Sequence, residues 1–116
     1  MGTYLDPDVV LFSGPLHVIT YMGANVKAMT GRDPTDDPVR LAFVERDLRD
    51  TQDAMDRVYA TGHCEWVRNR YGWVHIKALS EAGVVVGLGA FHAYHRSPFQ
   101  PRLRDLRQAE AIRPTG

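Results

Sequence analysis

The alternation of apolar and polar positions predicts strands at both ends of the chain. Val9 to Phe12 and His17 to Met22 are rich in β-branched and aromatic residues, and the Ser13-Gly14-Pro15 turn between them predicts a tight hairpin. The repeat changes after Gly23, where Val26 and Met29 fall three apart. This spacing predicts a short helix over residues 25–30, which Gly31 ends.

Helical spacing dominates the middle of the chain. Asp37 and Pro38 favour the start of a short helix over Pro38 to Phe43. The stretch ERDLRDTQDAMDRVYATG then predicts the longest helix, ended by Gly62. Its apolar face consists of Leu48, Met55, Val58 and Tyr59.

The pattern returns to strands after this helix. HCEWVRN, GWVHIKAL and GVVVGLGAFHAYH predict three consecutive antiparallel strands, followed by a short helix over Leu103 to Ala111. Helices grouped between two sets of strands indicate an α+β fold with a five-stranded antiparallel sheet and short helices packed on one face.

Composition and charge narrow the class of protein. The 116 residues are 44% hydrophobic and 24% charged, as in an ordinary single domain without a membrane-spanning run. The N-terminus lacks the pattern of a secretory signal, and the single Cys64 suits a reducing cytoplasm, so we expect a cytoplasmic protein. The net charge of zero argues against nucleic-acid binding. Charge is nevertheless uneven, because residues 33–56 hold eight acids against three arginines, and residues 96–116 hold five arginines against two acids.

Three segments resemble a Per-Arnt-Sim (PAS) sensor domain of the kind found in actinobacterial signalling proteins. They are FSGPLHVITYMGANVKAMTGRDP, MDRVYATG and GWVHIKALSEAGVVVGLGAFH. The resemblance implies a PAS-like sensor domain over residues 1–96 and a C-terminal extension over 97–116. The chain departs from the family at Gly23, where an Asn commonly ties the second strand to the first helix; here Asn25 comes two residues later.

The longest strand divides into two faces, and both are candidates for function. Val84, Val86, Leu88 and Ala90 lie on one face, and Val85, Gly87, Gly89 and Phe91 lie on the other. The resemblance implies that the glycine face looks towards the helices and borders a ligand pocket; filling by close packing is the alternative. The pocket candidates are Met55, Val58, Tyr59, Trp66, Val74, Ile76, Gly87 and Gly89.

The second apolar face needs its own cover. The N-terminal residues, the C-terminal helix or a second copy of the protein could supply it. PAS domains often dimerise through this face, so we expect a homodimer whose interface includes Val84, Val86 and Leu88.

Other chemistries have less support in the sequence. GVVVGLG lacks the spacing of a phosphate-binding loop, and His17, His63, His75, His92 and His95 lack the spacing of a metal site. Haem is disfavoured because the long helix contains no His, and flavin photochemistry because Cys64 follows that helix. The cofactor, if any, is left open.

The sequence therefore predicts a sensory or signalling domain that binds a small apolar or amphipathic ligand, dimerises, or both. Its output module would lie elsewhere in a longer protein or on a partner chain, and neither a membrane nor a nucleic acid is expected as a partner. The alternative is a ligand-free interaction or dimerisation module. A small α+β enzyme, with a pair such as His75 and an Asp of the helical layer, ranks third, and we expect no enzymatic activity.

Overall fold

The protein has an α+β fold in which helices cover a five-stranded antiparallel sheet. The computed structural model describes residues 6–31, 35–39, 48–92 and 101–112. Its elements in chain order are β1 (Val9–Ser13), β2 (Val18–Met22), α1 (Ala24–Thr30), α2 (Arg49–Thr61), β3 (Glu65–Asn69), β4 (Gly72–Glu81), β5 (Val84–His92) and α3 (Leu103–Ile112). The fold class and these elements confirm the sequence-based predictions.

The strands are arranged in the order β2-β1-β5-β4-β3, and every neighbouring pair is antiparallel. The first hairpin thus pairs with β5, the last strand in the chain, although about seventy residues separate them in the sequence. This open sheet is consistent with a PAS-like fold. No described helix is long and apolar enough to cross a membrane.

The main core lies between one face of the sheet, called the inner face here, and helices α1 and α2. Both helices end at a glycine in the left-handed conformation, Gly31 with φ of 71° and Gly62 with φ of 77°, as the sequence predicts. The best buried side chains of this core are Ile19, Met55, Val58, Ile76 and Leu88.

The opposite face, called the outer face here, is covered in part by α3. Leu106 of α3 lies directly over Gly87, and Pro101 lies over Gly89. Both approaches are so close that a Cβ atom at either glycine would collide with the C-terminal segment. Leu106 packs there with Val9, Leu11, Leu79 and Ala109. Of the three covers considered from the sequence, the C-terminal helix is therefore the one seen over this part of the sheet.

Polar contacts hold α3 against the first hairpin and against β4. Ser13 Oγ donates to Glu110 Oε2 over 2.8 Å, and Arg107 contacts Glu110 and also Glu81 of β4. These contacts supplement an apolar face of α3 that is too small to stabilise a free helix.

Two predictions extend beyond the described residues. Only Pro38 and Val39 of the predicted helix Pro38 to Phe43 are described; Pro38 forms a β-bridge with Val18, and Val39 directly after it is helical. The fifth strand was expected to run to His95, but residues 93–100 lie outside the described part.

The junction between β2 and α1 explains the departure at Gly23. The carbonyl of Pro7 lies so close to Gly23 that no side chain would fit. Asn25 supplies the tie instead, because its backbone N–H donates to Pro7 O and its Nδ2 donates to Asp8 Oδ1 over 2.8 Å. The link between strand and helix is thus moved by two residues.

Candidate functional site

A cavity of about 100 Å³ lies between the inner face of the sheet and the helices. Most of its wall is apolar and comes from β1, β2, α1, α2, β4 and β5; the main apolar residues are Val10, Phe12, Met22, Val26, Met29, Met55, Val74, Ile76 and Ala90. Because side chains alternate along a strand, each strand presents every second residue to this space.

Two groups of polar residues also line the cavity. In one group Asn69 Nδ2 donates to Thr51 Oγ1 over 3.0 Å, and Asn69 Oδ1 accepts from the Tyr71 backbone N–H. In the other, Asp8 and His92 border the same space. An apolar cavity with a few polar groups suits a small ligand that is mainly apolar and carries one polar atom.

His92 is the titratable ring of this site. Burial lowers the pKa of His92, and the nearby Asp8 carboxylate opposes the shift. The ring is therefore neutral at neutral pH. A neutral imidazole in an apolar wall can recognise a hydroxyl or carbonyl group without a charged ligand.

The structure brings together only some of the predicted pocket residues. Met55, Val74 and Ile76 line the cavity. Val58 and Tyr59 belong to the same core but are not among the residues that line it. The apolar face of α2 was thus placed correctly towards the sheet.

The predicted faces of β5 and β3 need correction. Gly87 and Gly89 lie on the outer face, under Leu106 of α3 and under Pro101 just before it. Trp66 also lies on this face, beside His75 and Phe91. The reason is register, because Trp66 pairs with His75, whose neighbours Val74 and Ile76 point inward. The glycines remove side-chain volume for the C-terminal segment rather than for a pocket.

The sheet register also changes where the three predicted dimer-face residues lie. Leu88 is fully buried in the inner core, and Val86 packs against the outer cluster below α3. A register shift between Leu79 and Ser80 places Val86 opposite no residue of β4. Val84, next to the hairpin turn, is 63% exposed and is the one residue of the three still available to a partner.

The sequence did not reveal the polar residues of the cavity. Asp8, Gln52, Asn69 and His92 come from four separate elements or their flanks, and they meet only through the sheet register and the packing of α2 on the sheet. His92 carried a possible signal, since it follows the apolar residues Leu88 and Ala90 at the strand period of two.

A buried histidine outside the cavity pairs with the helical layer. The ring of His17 is buried, and its Nε2 donates to Asp56 Oδ1 over 2.8 Å. The ring edge also contacts Tyr59, with 5.7 Å between the ring centroids. The sequence suggested His75 as the partner of a helical Asp, but His75 lies on the outer face, so the pair is His17 with Asp56.

The other candidate chemistries find no assembled group in the described residues. Ranges 6–31, 35–39, 48–92 and 101–112 contain no cluster of three His, Cys, Asp or Glu side chains that could hold a metal ion. Cys64 directly precedes β3, as the sequence predicts, but it is exposed rather than the packed or half-buried thiol that a lone cysteine suggests.

Comparison with known proteins does not assign a family. No protein-family model matches the chain. A search of curated proteins likewise finds no match.

Proposed function

We propose that the protein is a PAS-like sensory domain that binds a small apolar or amphipathic ligand in the cavity between α2 and the sheet. The observation that carries the proposal is the cavity itself, which has an apolar wall and a few polar groups grouped around Asn69 and His92. In line with the sequence, it would act in the cytoplasm, without catalysis, on an output module in the same protein or on a partner chain.

The cavity volume favours a small ligand. A volume of about 100 Å³ is below the roughly 150 Å³ of an apolar protein cavity that admits benzene, and well below the roughly 300–1,000 Å³ of sites for drug-sized ligands. Haem and flavin are too large for the cavity as the described residues bound it. The ligand we propose is therefore no larger than a benzene ring.

The proposed mechanism is a shift of population between two arrangements of the helices. A ligand that fits one arrangement better stabilises it by the difference in its affinity for the two. Because α1 and α2 both contribute to the cavity wall, their packing on the sheet is what the ligand would change.

The experiment is a titration with two small probes, xenon and 1-butanol, followed by methyl NMR. We expect saturable shifts at Met55 and Ile76, which line the cavity, and none at the exposed Val84. A cavity-filling variant, Ala90→Val, is the matched control and should abolish the shifts. Absence of saturable shifts in the folded wild-type protein would contradict the ligand-binding proposal.

The second candidate is a ligand-free interaction module, which includes the predicted homodimer. Exposed large apolar side chains favour it, namely Val84 at 63% and Trp66 at 54% exposure. Native mass spectrometry of freshly purified protein distinguishes the two, because it reports the oligomeric state and any co-purified molecule together. A dimer without an adduct would favour the second candidate, and an adduct would favour the first.

A further inference from the structure

The part of the outer face that α3 leaves uncovered carries a row of aromatic rings. Trp66 of β3, His75 of β4 and Phe91 of β5 are cross-strand neighbours, with ring centroids 4.7 Å apart for the first pair and 5.0 Å apart for the second. Trp73 lies two residues before His75 on the same face of β4. These four side chains are called the aromatic platform here.

The two tryptophans are the accessible part of the platform. Trp66 is 54% exposed and Trp73 is 50% exposed, although both lie within a folded sheet. Since Trp73 is the diagonal neighbour of Trp66, their Cα atoms are separated by roughly 7–8 Å. Because Trp is enriched at protein contact surfaces, two half-exposed indoles side by side mark this face as a candidate contact surface.

The charges beside the platform are positive. Arg68 is exposed and pairs across the sheet with Trp73. Burial of the ring lowers the pKa of His75, and the positive charge of the nearby Lys77 lowers it further. No carboxylate of the described residues forms an ion pair with Arg68 or Lys77. Two acids on this side of the sheet, Glu81 and Glu110, both contact Arg107.

We propose that the aromatic platform binds an acidic, extended segment of a partner protein that carries an aromatic side chain. Charge complementarity favours this occupant, because Arg68 and Lys77 are both positive and no described carboxylate forms an ion pair with either. The proposal concerns the outer face alone and does not depend on a ligand in the cavity.

The position of β3 suggests how such a segment would bind. β3 is the last strand of the sheet in the order β2-β1-β5-β4-β3, so an extended segment can align beside it. Alternate side chains of that segment would then lie beside Trp66 and Arg68, which are two residues apart on the same face. The expected pattern is an aromatic residue and an acidic residue separated by one position.

A second copy of the chain is the less favoured occupant. A symmetric contact through the platform would bring Arg68 and Lys77 of both copies into one interface with no free carboxylate. A head-to-tail contact with the exposed Asp50 and Asp53 of α2 would be heterologous and would produce rings or growing chains. Both alternatives are visible as a change of mass with protein concentration.

The test uses a fluorescently labelled peptide of repeating Phe-Thr-Asp-Thr and a matched Phe-Thr-Lys-Thr peptide. We expect the acidic peptide to bind at least about tenfold more tightly than the basic one, with an affinity that falls as salt is added. Arg68→Glu and Trp73→Ser should each weaken binding by about fivefold or more. Arg102→Glu, an exposed change at the start of α3, is the charge control and should change affinity by less than about twofold.

Circular dichroism melts of every variant confirm that each protein is folded before its affinity is compared. The proposal would be overturned by no saturable binding of the acidic peptide up to about 1 mM, by equal binding of both peptides, or by tighter binding of an oligouridylate of the same charge. A mass that grows with concentration and is reduced by Arg68→Glu would also overturn it, in favour of self-association.

Discussion

At the scale of single residues, Gly23 shows how close contact rather than flexibility can require a glycine. Its φ of −63° is open to any residue, but the Pro7 carbonyl occupies the place of a Cβ atom. We expect Gly23→Ala to lower the free energy of unfolding by about 1–3 kcal/mol, because either Pro7 or α1 must move. Chemical denaturation measures the change.

The matched control is Gly14→Asn. Gly14 has a φ of 71° and no atom within contact distance of a Cβ, and Asn tolerates this backbone conformation. Its cost should stay within about 0.5 kcal/mol. If the two substitutions cost the same, the contact with Pro7 does not constrain the junction.

The His17–Asp56 pair joins the first hairpin to α2. Removing the carboxylate leaves a buried ring nitrogen without its acceptor, so Asp56→Ala should destabilise the protein by about 1–3 kcal/mol. Asp50→Ala, an exposed change in the first turn of the same helix, should cost only about 0.3–1 kcal/mol, the usual contribution of an acid at a helix N-terminus. Thermal or denaturant unfolding of both variants tests the pair, and equal costs would show that Asp56 acts only through the general charge of α2.

The stability of the protein should depend on pH through His92. Because burial lowers the pKa of His92, the unfolded chain binds a proton more readily than the folded one. The contribution of neutral His92 to stability is therefore fully present above the unfolded-state pKa of about 6.5. This contribution is lost as the pH falls from there through the lower folded-state pKa. His92→Gln should flatten this decline, whereas His63→Gln, at an exposed position, should leave it unchanged. Unfolding free energies measured between about pH 7.5 and pH 5 test this prediction. An unchanged slope of stability against pH in His92→Gln would contradict the role of His92.

At the scale of elements, the sequence predicts which helices and strands form, but not which face of each strand points into the core. Periods of two and of 3.6 identified all eight described elements, because both depend on local geometry alone. Which face of β5 looks inward depends on what covers each side, and the cover of Gly87 and Gly89 lies more than ten residues further along the chain. The same holds for Trp66, whose side of the sheet follows from its pairing with His75. Register and cover are properties of the assembled sheet, so the side of the sheet on which Trp66, Gly87 and Gly89 lie could not be derived from the chain.

The helix α3 depends on its contact with the outer face. Leu106 is fully buried over Gly87, whereas Ile112 is 57% exposed. Leu106→Ala should destabilise the protein by about 2–4 kcal/mol, because it opens a cavity at the glycine, and Ile112→Ala should cost less than about 0.5 kcal/mol. Denaturant unfolding compares the two. A small effect of Leu106→Ala would mean that α3 detaches without affecting the sheet.

At the scale of the whole molecule, one sheet separates the cavity from the aromatic platform. Val74 and Ile76 line the cavity, and His75 between them belongs to the platform. On β5, Phe91 of the platform likewise lies between Ala90 and His92, both of which line the cavity. A change in the path of β4 or β5 must therefore affect both surfaces.

This shared sheet predicts thermodynamic coupling between the two proposed sites. If a ligand in the cavity shifts β4 and β5 between two arrangements, it must change the affinity of the platform for the acidic peptide, and the peptide must change the affinity for the ligand by the same factor. We expect 1-butanol at saturation to change the peptide affinity by about twofold or more. The Ala90→Val variant should still bind the peptide but should lose the dependence on 1-butanol. Both affinities are measured in the presence and absence of the other probe. If both probes bind and each affinity is unaffected by the other, the sheet does not transmit the signal, and the cavity and the platform are independent sites.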